Sequence, residues 1–121
     1  MREIKFRALS ICKGERWVYG DLRHYARNPH TEKWTIHDPA TGLETDIDET
    51  TIGQYTGMHD RSGKEIYEGD IFHLGDPNIR YVVVYRDCGL IGRQIGSSST
   101  VGIPYWSDSI TIIGNLYETV P

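Results

Sequence analysis

The sequence predicts a single, mostly β domain of about eight to ten short strands. Stretches rich in Val, Ile, Tyr and Thr have strand length, thirteen Gly and five Pro separate them, and no long apolar run indicates a helix. A chain of 121 residues has the length of one typical domain. We expect a barrel-like core over residues 51–121, SH3-like or partly open between Lys64 and Tyr117, with a β-hairpin or meander from residues 1–50 packed against it.

The first strands follow from an alternating pattern at the amino-terminal end. Over Arg2–Leu9, apolar Ile4, Phe6 and Ala8 alternate with charged residues, so we expect a strand with one buried face and Glu3, Lys5 and Arg7 on the other. A turn at residues 12–15 then returns the chain through Trp17–Tyr19. The pair Gly20-Asp21 is predicted to kink this strand before Leu22–Tyr25.

The central stretch Thr51–Phe72 contains two strand candidates joined by a turn-rich segment, Gly57–Gly63. The candidates are Ile52–Tyr55 and Lys64–Tyr67, and Asp and Ser in the joining segment can hydrogen-bond the backbone two residues on. Before this stretch, Lys33–His37 is predicted to form one short strand and Ile47–Thr50 a helical turn.

A second reversal is predicted at Glu68-Gly69-Asp70. Gly69 supplies a positive φ angle, and an Asp that follows a turn glycine accepts backbone N–H bonds, which would fix the entry into the next strand. Gly69 and Asp70 are therefore interpreted as structural turn residues rather than as catalytic ones.

The carboxyl-terminal half contains the strongest strand pattern, Ile79–Tyr85, which we place at the centre of its sheet because apolar residues occupy successive positions. Strands at Leu90–Ile95 and Ile110–Ile113 follow, separated by a flexible loop around Gly96–Thr100. We expect the remaining open edges at the amino-terminal hairpin and at the Gly96–Ile103 loop.

Composition and motifs exclude several classes of function. The formal net charge of −4 disfavours a general polyanion binder. No catalytic, cofactor or metal motif is present: the histidines have no ligand spacing, and Cys12 and Cys88 form no CxxC pair. We therefore predict a protein that is not an enzyme and has no cofactor. Without a signal peptide or an apolar run that could span a membrane, the chain is expected to be soluble and cytoplasmic.

One asymmetry in charge suggests a partner, because basic residues concentrate in the first part of the chain. On the outer face of a hairpin, Lys5, Arg7, Arg23 and Tyr25 are candidate contacts for a nucleic-acid backbone and its bases. The structural interpretation is that alternating charges keep an edge hairpin soluble, and we prefer it.

Several segments together resemble one family. They span both ends of the chain in order: Met1–Ala8, Val18–Leu22, Gly53–Gly57, Gly63–Ile71 and Ile113–Glu118. This combination resembles the YopX family of phage and prophage proteins. The resemblance implies a small, mainly β protein of a bacteriophage or prophage in a bacterial host, without an established activity or site residues. Residues 28–44 and 87–103 do not match the pattern, so individual specificity would lie there.

Two functional hypotheses follow. The first is a structural or interaction protein that forms homo-oligomers through edge strands and exposed aromatic residues such as Trp17, Trp34 and Trp106, with a host or phage protein as a further partner. The second is a small-barrel module that binds nucleic acid through the basic amino-terminal strands. We prefer the first hypothesis.

Overall fold

A computed structural model describes residues 3–11, 16–26, 32–86, 89–103 and 107–117. These residues form eleven strands and two 3₁₀ turns, and the strand pairs with a defined register are antiparallel. The prediction of a mostly β protein is therefore confirmed. The chain divides into two compact units, Met1–Tyr55 and Thr56–Pro121. Cys12, Cys88 and Trp106 lie outside the described residues.

The first unit contains strands β1 to β4 and the start of β5. Their bounds are β1 (Phe6–Leu9), β2 (Trp17–Tyr25), β3 (Lys33–His37), β4 (Glu44–Asp46) and β5 (Gly53–His59). The strand order is β4-β3-β2-β1-β5, and a 3₁₀ turn at Glu49–Thr51 precedes β5. After β4, Ile47 forms an isolated bridge with Ser10, which connects the end of β4 to the end of β1.

Strand β2 is continuous from Trp17 to Tyr25, and it changes neighbours at the Gly20-Asp21 pair, where a kink was predicted. Residues 17–20 pair with β1, whereas residues 21–25 pair with β3. Gly20 stands at the change with a φ of 152°, and a Cβ atom built there would lie 2.2 Å from the His37 carbonyl oxygen. Only glycine lets the backbone of β2 approach β3 this closely.

The core of the first unit consists of Ala8, Ile36 and Ile47, on which further apolar side chains pack, including Leu22 and Val18. The predicted alternation in β1 is only partly correct. Ala8 is buried as expected, but Ile4 is 69% exposed and Arg7 is 5% exposed. The reason is that the strand begins at Phe6, and the ring of Trp17 covers the Arg7 guanidinium.

The second unit contains the end of β5, β6 beside it, and a separate sheet of five strands. The bounds are β6 (Glu65–Tyr67), β7 (Asp70–His73), β8 (Tyr81–Arg86), β9 (Gly89–Gln94), β10 (Thr100–Gly102) and β11 (Thr111–Asn115). The five-stranded order is β10-β9-β8-β7-β11, so β8 is the middle strand, as predicted. The sheet is open and not closed into a barrel, because its two end strands do not pair with each other.

The core of the second unit is formed by Ile66, Phe72, Val83, Ile103 and Ile110. The Phe72 ring lies where a side chain on Gly92 would be, since a Cβ atom at Gly92 would approach the ring to 2.6 Å. A glycine in the middle of β9 therefore leaves space for the largest buried side chain of this core.

The outer edge of β11 is covered by the β5–β6 turn. The Arg61 N–H donates to the Ile110 carbonyl oxygen at 3.0 Å, and the Ile112 N–H donates to the Asp60 carboxylate at 3.2 Å. Asp60 also accepts bonds from the N–H and the hydroxyl of Ser62 and from the N–H of Lys64. Burial favours the protonated form of Asp60, but these hydrogen bonds outweigh it and lower its pKa.

The turn predicted at Gly69-Asp70 lies between β6 and β7. Gly69 has a φ of 93°, and the buried Asp70 carboxylate accepts the Tyr67 N–H at 2.7 Å. Gly69 also donates to the Val83 carbonyl oxygen and accepts from the Leu116 N–H. This turn thus connects β6, β8 and the residue after β11.

Candidate interaction surface

Arg23 and Tyr25, two of the four candidate nucleic-acid contacts, lie together on one face of β2. Both bind the same carboxylate oxygen of Glu44, which the pairing of β3 with β4 places nearby. The distance is 2.9 Å from the Arg23 guanidinium and 3.3 Å from the Tyr25 hydroxyl. Glu44 therefore places a negative charge directly beside Arg23, which disfavours the approach of a phosphate group.

The pKa shifts describe the same cluster. The hydrogen bond with Tyr25, and then the one with Glu44, raises the pKa of Arg23. Desolvation opposes the ionisation of Glu44, but hydrogen bonds from Tyr25, Thr35 and Arg23 outweigh it and lower its pKa. The charges of Arg23 and Glu44 therefore neutralise each other. A second ion pair joins β3 to β4, with the Lys33 ammonium 3.1 Å from the Asp46 carboxylate.

Lys5 and Arg7 are placed apart from that cluster, each over a different aromatic ring. The Lys5 ammonium is 5.0 Å from the Tyr55 ring centroid and 3.5 Å from the Glu3 carboxylate. The Arg7 guanidinium is 4.6 Å from the Trp17 ring centroid and nearly inaccessible to solvent. The four candidates therefore do not form one basic surface.

His24, Trp34 and Glu32 form a second cluster at the end of β2 and β3. The His24 and Trp34 rings stack with centroids 4.0 Å apart, and both rings bind the Glu32 carboxylate. Trp17 and Trp34, which were expected to be exposed, are half-buried. The described residues contain no group of three or more His, Cys, Asp or Glu side chains that could hold a metal ion.

Three of the ten exposed large apolar side chains in the described part of the chain line two adjoining depressions of the first unit. Ile4 is 69% exposed, Leu43 63% and Tyr19 46%. One depression, of about 280 Å³, includes Trp17, Tyr19 and Leu43 in its lining, and the other, of about 360 Å³, includes Ile4 and Tyr19. Because the two share Tyr19 and Asp38, we treat them as one surface and call it the Tyr19 groove.

The turn between β3 and β4 fixes one wall of the Tyr19 groove. Asp38 donates its N–H to the Leu43 carbonyl oxygen at 2.8 Å and accepts the Gly42 N–H at 2.7 Å. Its carboxylate also accepts the Ala40 N–H at 2.9 Å. These bonds fix the backbone of the turn that carries Leu43, whose side chain is solvent-exposed.

This surface was not predicted from the sequence, although one signal was present. Leu43 is a lone large apolar residue in a segment otherwise made of turn and acidic residues, Asp38–Asp46. A single leucine among polar turn residues has no apolar neighbours in sequence to pack with, which favours an exposed side chain. Ile4 was missed because its position in the alternating pattern suggested burial.

A comparison with protein-family models decides the family. The model described as YopX protein matches residues 5–120, which is nearly the whole chain. The chain belongs to the YopX family. The region matched in this YopX family member includes the residues of both depressions except for Glu3 and Ile4. It also includes residues 28–44 and 87–103, which were expected not to match the family pattern. Comparison with curated proteins gives no match. No helix among the described residues is long and apolar enough to cross a membrane.

Proposed function

We propose that this YopX family member is a non-enzymatic interaction or structural protein of a phage or prophage that associates with its own copies in the cytoplasm of the bacterial host. The observation on which this rests is the Tyr19 groove, whose apolar side chains Ile4, Tyr19 and Leu43 are exposed on one surface. Contiguous exposed apolar residues with a polar rim are typical of protein interaction sites.

The perturbed titratable groups support a role without catalysis. Catalytic groups with shifted pKa values generally face a cleft where a substrate can reach them. Here the shifted groups Arg23 and Glu44 bind each other, and Asp60 is 7% exposed and hydrogen-bonded to a turn. Each shift therefore has a structural cause.

Self-association predicts a mass that depends on protein concentration. We expect sedimentation velocity or light scattering to show oligomers that dissociate on dilution, and we expect Leu43→Ser to shift the equilibrium strongly toward the monomer by removing apolar contact area. The folded state should be unaffected, because Leu43 is exposed. Leu116→Ser, at another exposed leucine, is the matched control. A strictly monomeric wild-type protein across a wide concentration range would contradict the proposal.

The second candidate function is nucleic-acid binding through the basic amino-terminal strands. The pairing of Arg23 with Glu44 and the burial of Arg7 disfavour it, and we expect labelled single- and double-stranded DNA and RNA to show no binding in fluorescence anisotropy, even at low salt. Binding that weakens with salt and is lost in Lys5→Ala/Arg23→Ala, but kept in Arg93→Ala, would reverse the preference.

A further inference from the structure

We propose that two copies of the chain pair in antiparallel fashion through the outer edge of β10, with Val101 of each copy beside a two-fold axis. This inference rests on the proposed self-association and adds a second surface to it, which consists of backbone groups and lies outside the Tyr19 groove. Among the described residues, β10 pairs with β9 alone and ends the five-stranded sheet. The partner that such an edge recognises is another extended strand.

The pairing of β10 with β9 determines which backbone groups face outward. The Gln94 N–H donates to the Ser99 carbonyl oxygen at 2.9 Å, so these two residues form a hydrogen-bonded pair. Such pairs alternate with non-hydrogen-bonded pairs along an antiparallel ladder, and the next hydrogen-bonded pair is therefore the one that contains Val101. On either side of it, Thr100 and Gly102 direct their N–H and carbonyl groups away from β9. The edge thus offers one donor and one acceptor at each of these two residues.

Residues 94–103 have none of the features that usually keep sheet edges from pairing. Natural edges carry a charged residue, a proline or a bulge, whereas this segment contains no charged residue and no proline. The register with β9 runs without a shift from Thr100 to Gly102. Directly afterwards the chain enters the core, where Ile103 belongs to the same buried cluster as Phe72. Two copies of this uncharged edge can therefore approach each other without repulsion between like charges.

One register satisfies the outward groups of both copies completely. When Val101 lies opposite Val101 of the second copy, Thr100 of each copy lies opposite Gly102 of the other, and each of these pairs exchanges two N–H···O bonds. A register shifted by one residue would place outward groups opposite inward ones. A shift by two residues would place Gly102 or Thr100 beyond the end of the other strand and lose its bonds. The strand is therefore complementary to itself, as a two-fold interface requires.

The side chains are compatible with this pairing. Val101 is half-buried against the core of the second unit, and at the axis it meets an identical side chain in a non-hydrogen-bonded pair, where facing side chains lie closest. The charged residue of β9 is Arg93. It stays three strand spacings from its own copy, about 14 Å, which exceeds the screening length of about 8 Å at physiological salt. Because three residues of each copy take part, the contact is small, and we expect it at higher protein concentrations than association through the Tyr19 groove.

Amide hydrogen exchange followed by NMR tests the pairing residue by residue. We expect exchange at Thr100 and Gly102 to slow by roughly ten-fold or more between dilute and concentrated protein, while the Val101 amide is protected at both concentrations by its bond to β9. Thr100→Pro removes an N–H that points away from β9, so the fold should remain but the concentration-dependent protection of Gly102 should be lost. Thr100→Ala keeps this N–H and is the matched control, which should behave like the wild type.

A crosslink provides a second measurement that does not depend on proline. The Cα atoms of a non-hydrogen-bonded pair are about 4.5 Å apart, which a disulfide can span. Val101→Cys, with Cys12 and Cys88 changed to Ser, should therefore form an intermolecular disulfide under mild oxidation of the concentrated protein. Thr111→Cys in the same background should not, because it lies on β11, whose outer edge the Asp60 turn covers.

The outcomes distinguish this pairing from the proposed function. Wild-type oligomers in which exchange at Gly102 does not change with concentration and Val101→Cys gives no crosslink would overturn pairing through β10 and leave self-association through the Tyr19 groove standing. A wild type that is monomeric at every concentration would overturn both.

Discussion

Gly20→Ala is expected to destabilise the protein by about 3 kcal/mol or more, because two independent costs meet at this residue. The backbone has a φ of 152°, which L-residues rarely adopt, and the new Cβ atom would approach the His37 carbonyl oxygen to 2.2 Å. That oxygen belongs to the backbone of β3 and cannot move without disturbing the β2–β3 pairing. Urea unfolding followed by circular dichroism measures the free energy of unfolding.

Gly89→Ala separates the two costs. Gly89 has the same φ as Gly20, 152°, but no atom lies within 4 Å of a Cβ built there. This control should therefore show only the backbone cost, about 1 kcal/mol. Equal effects of the two substitutions would mean that the close approach to His37 does not restrict residue 20.

Asp60→Ala is expected to reduce the free energy of unfolding by about 3 kcal/mol at neutral pH, because one carboxylate satisfies several backbone groups. Its removal leaves the N–H groups of Ser62, Lys64 and Ile112 without this acceptor. Asp76→Ala is the matched control, since the Asp76 carboxylate accepts the Asn78 N–H in an exposed turn, while the bond from Ile79 to the Asp76 carbonyl oxygen remains in the variant. We expect its cost to be about 1 kcal/mol or less.

The pH dependence of Asp60→Asn tests the role of the charge. The folded protein lowers the pKa of Asp60, so the charged form contributes stability above the unfolded-state pKa, and this contribution is lost as the pH falls through the folded-state pKa. The difference in unfolding free energy between wild type and Asp60→Asn should therefore shrink below about pH 4. A difference that is constant with pH would contradict the assignment.

Local patterns were sufficient to predict most of the strands. The Val-rich run forms the middle strand β8. Val82 and Val83 are successive residues that point to opposite faces, and both are buried, as expected for a strand inside the sheet. The bounds of β3 were predicted correctly, because the turn dipeptides Asn28-Pro29 and Asp38-Pro39 flank this short run. Strand β10 was missed because its three residues, Thr100–Gly102, follow a serine run, and only pairing with β9 makes them a strand.

The surface could not be predicted in the same way, because its properties depend on distant pairings. Arg23 is neutralised by Glu44, which is 21 residues away in the sequence and reaches Arg23 only through the pairing of β2, β3 and β4. Arg7 is buried because the β1–β2 pairing brings the Trp17 ring over it. The basic amino-terminal stretch therefore lies on a surface of mixed charge, because the acidic strand β4 is part of the same sheet.

The two ends of the five-stranded sheet differ in a way that limits growth. At β11, the Asp60 turn occupies outward backbone groups at Ile110 and Ile112, whereas in the described part of the chain β10 ends the sheet without a neighbouring strand. A sheet with two open ends can add copies without limit and become a fibre. With one end blocked, only the β10 end can accept a strand from another copy, so strand pairing through this sheet stops after two sheets have joined.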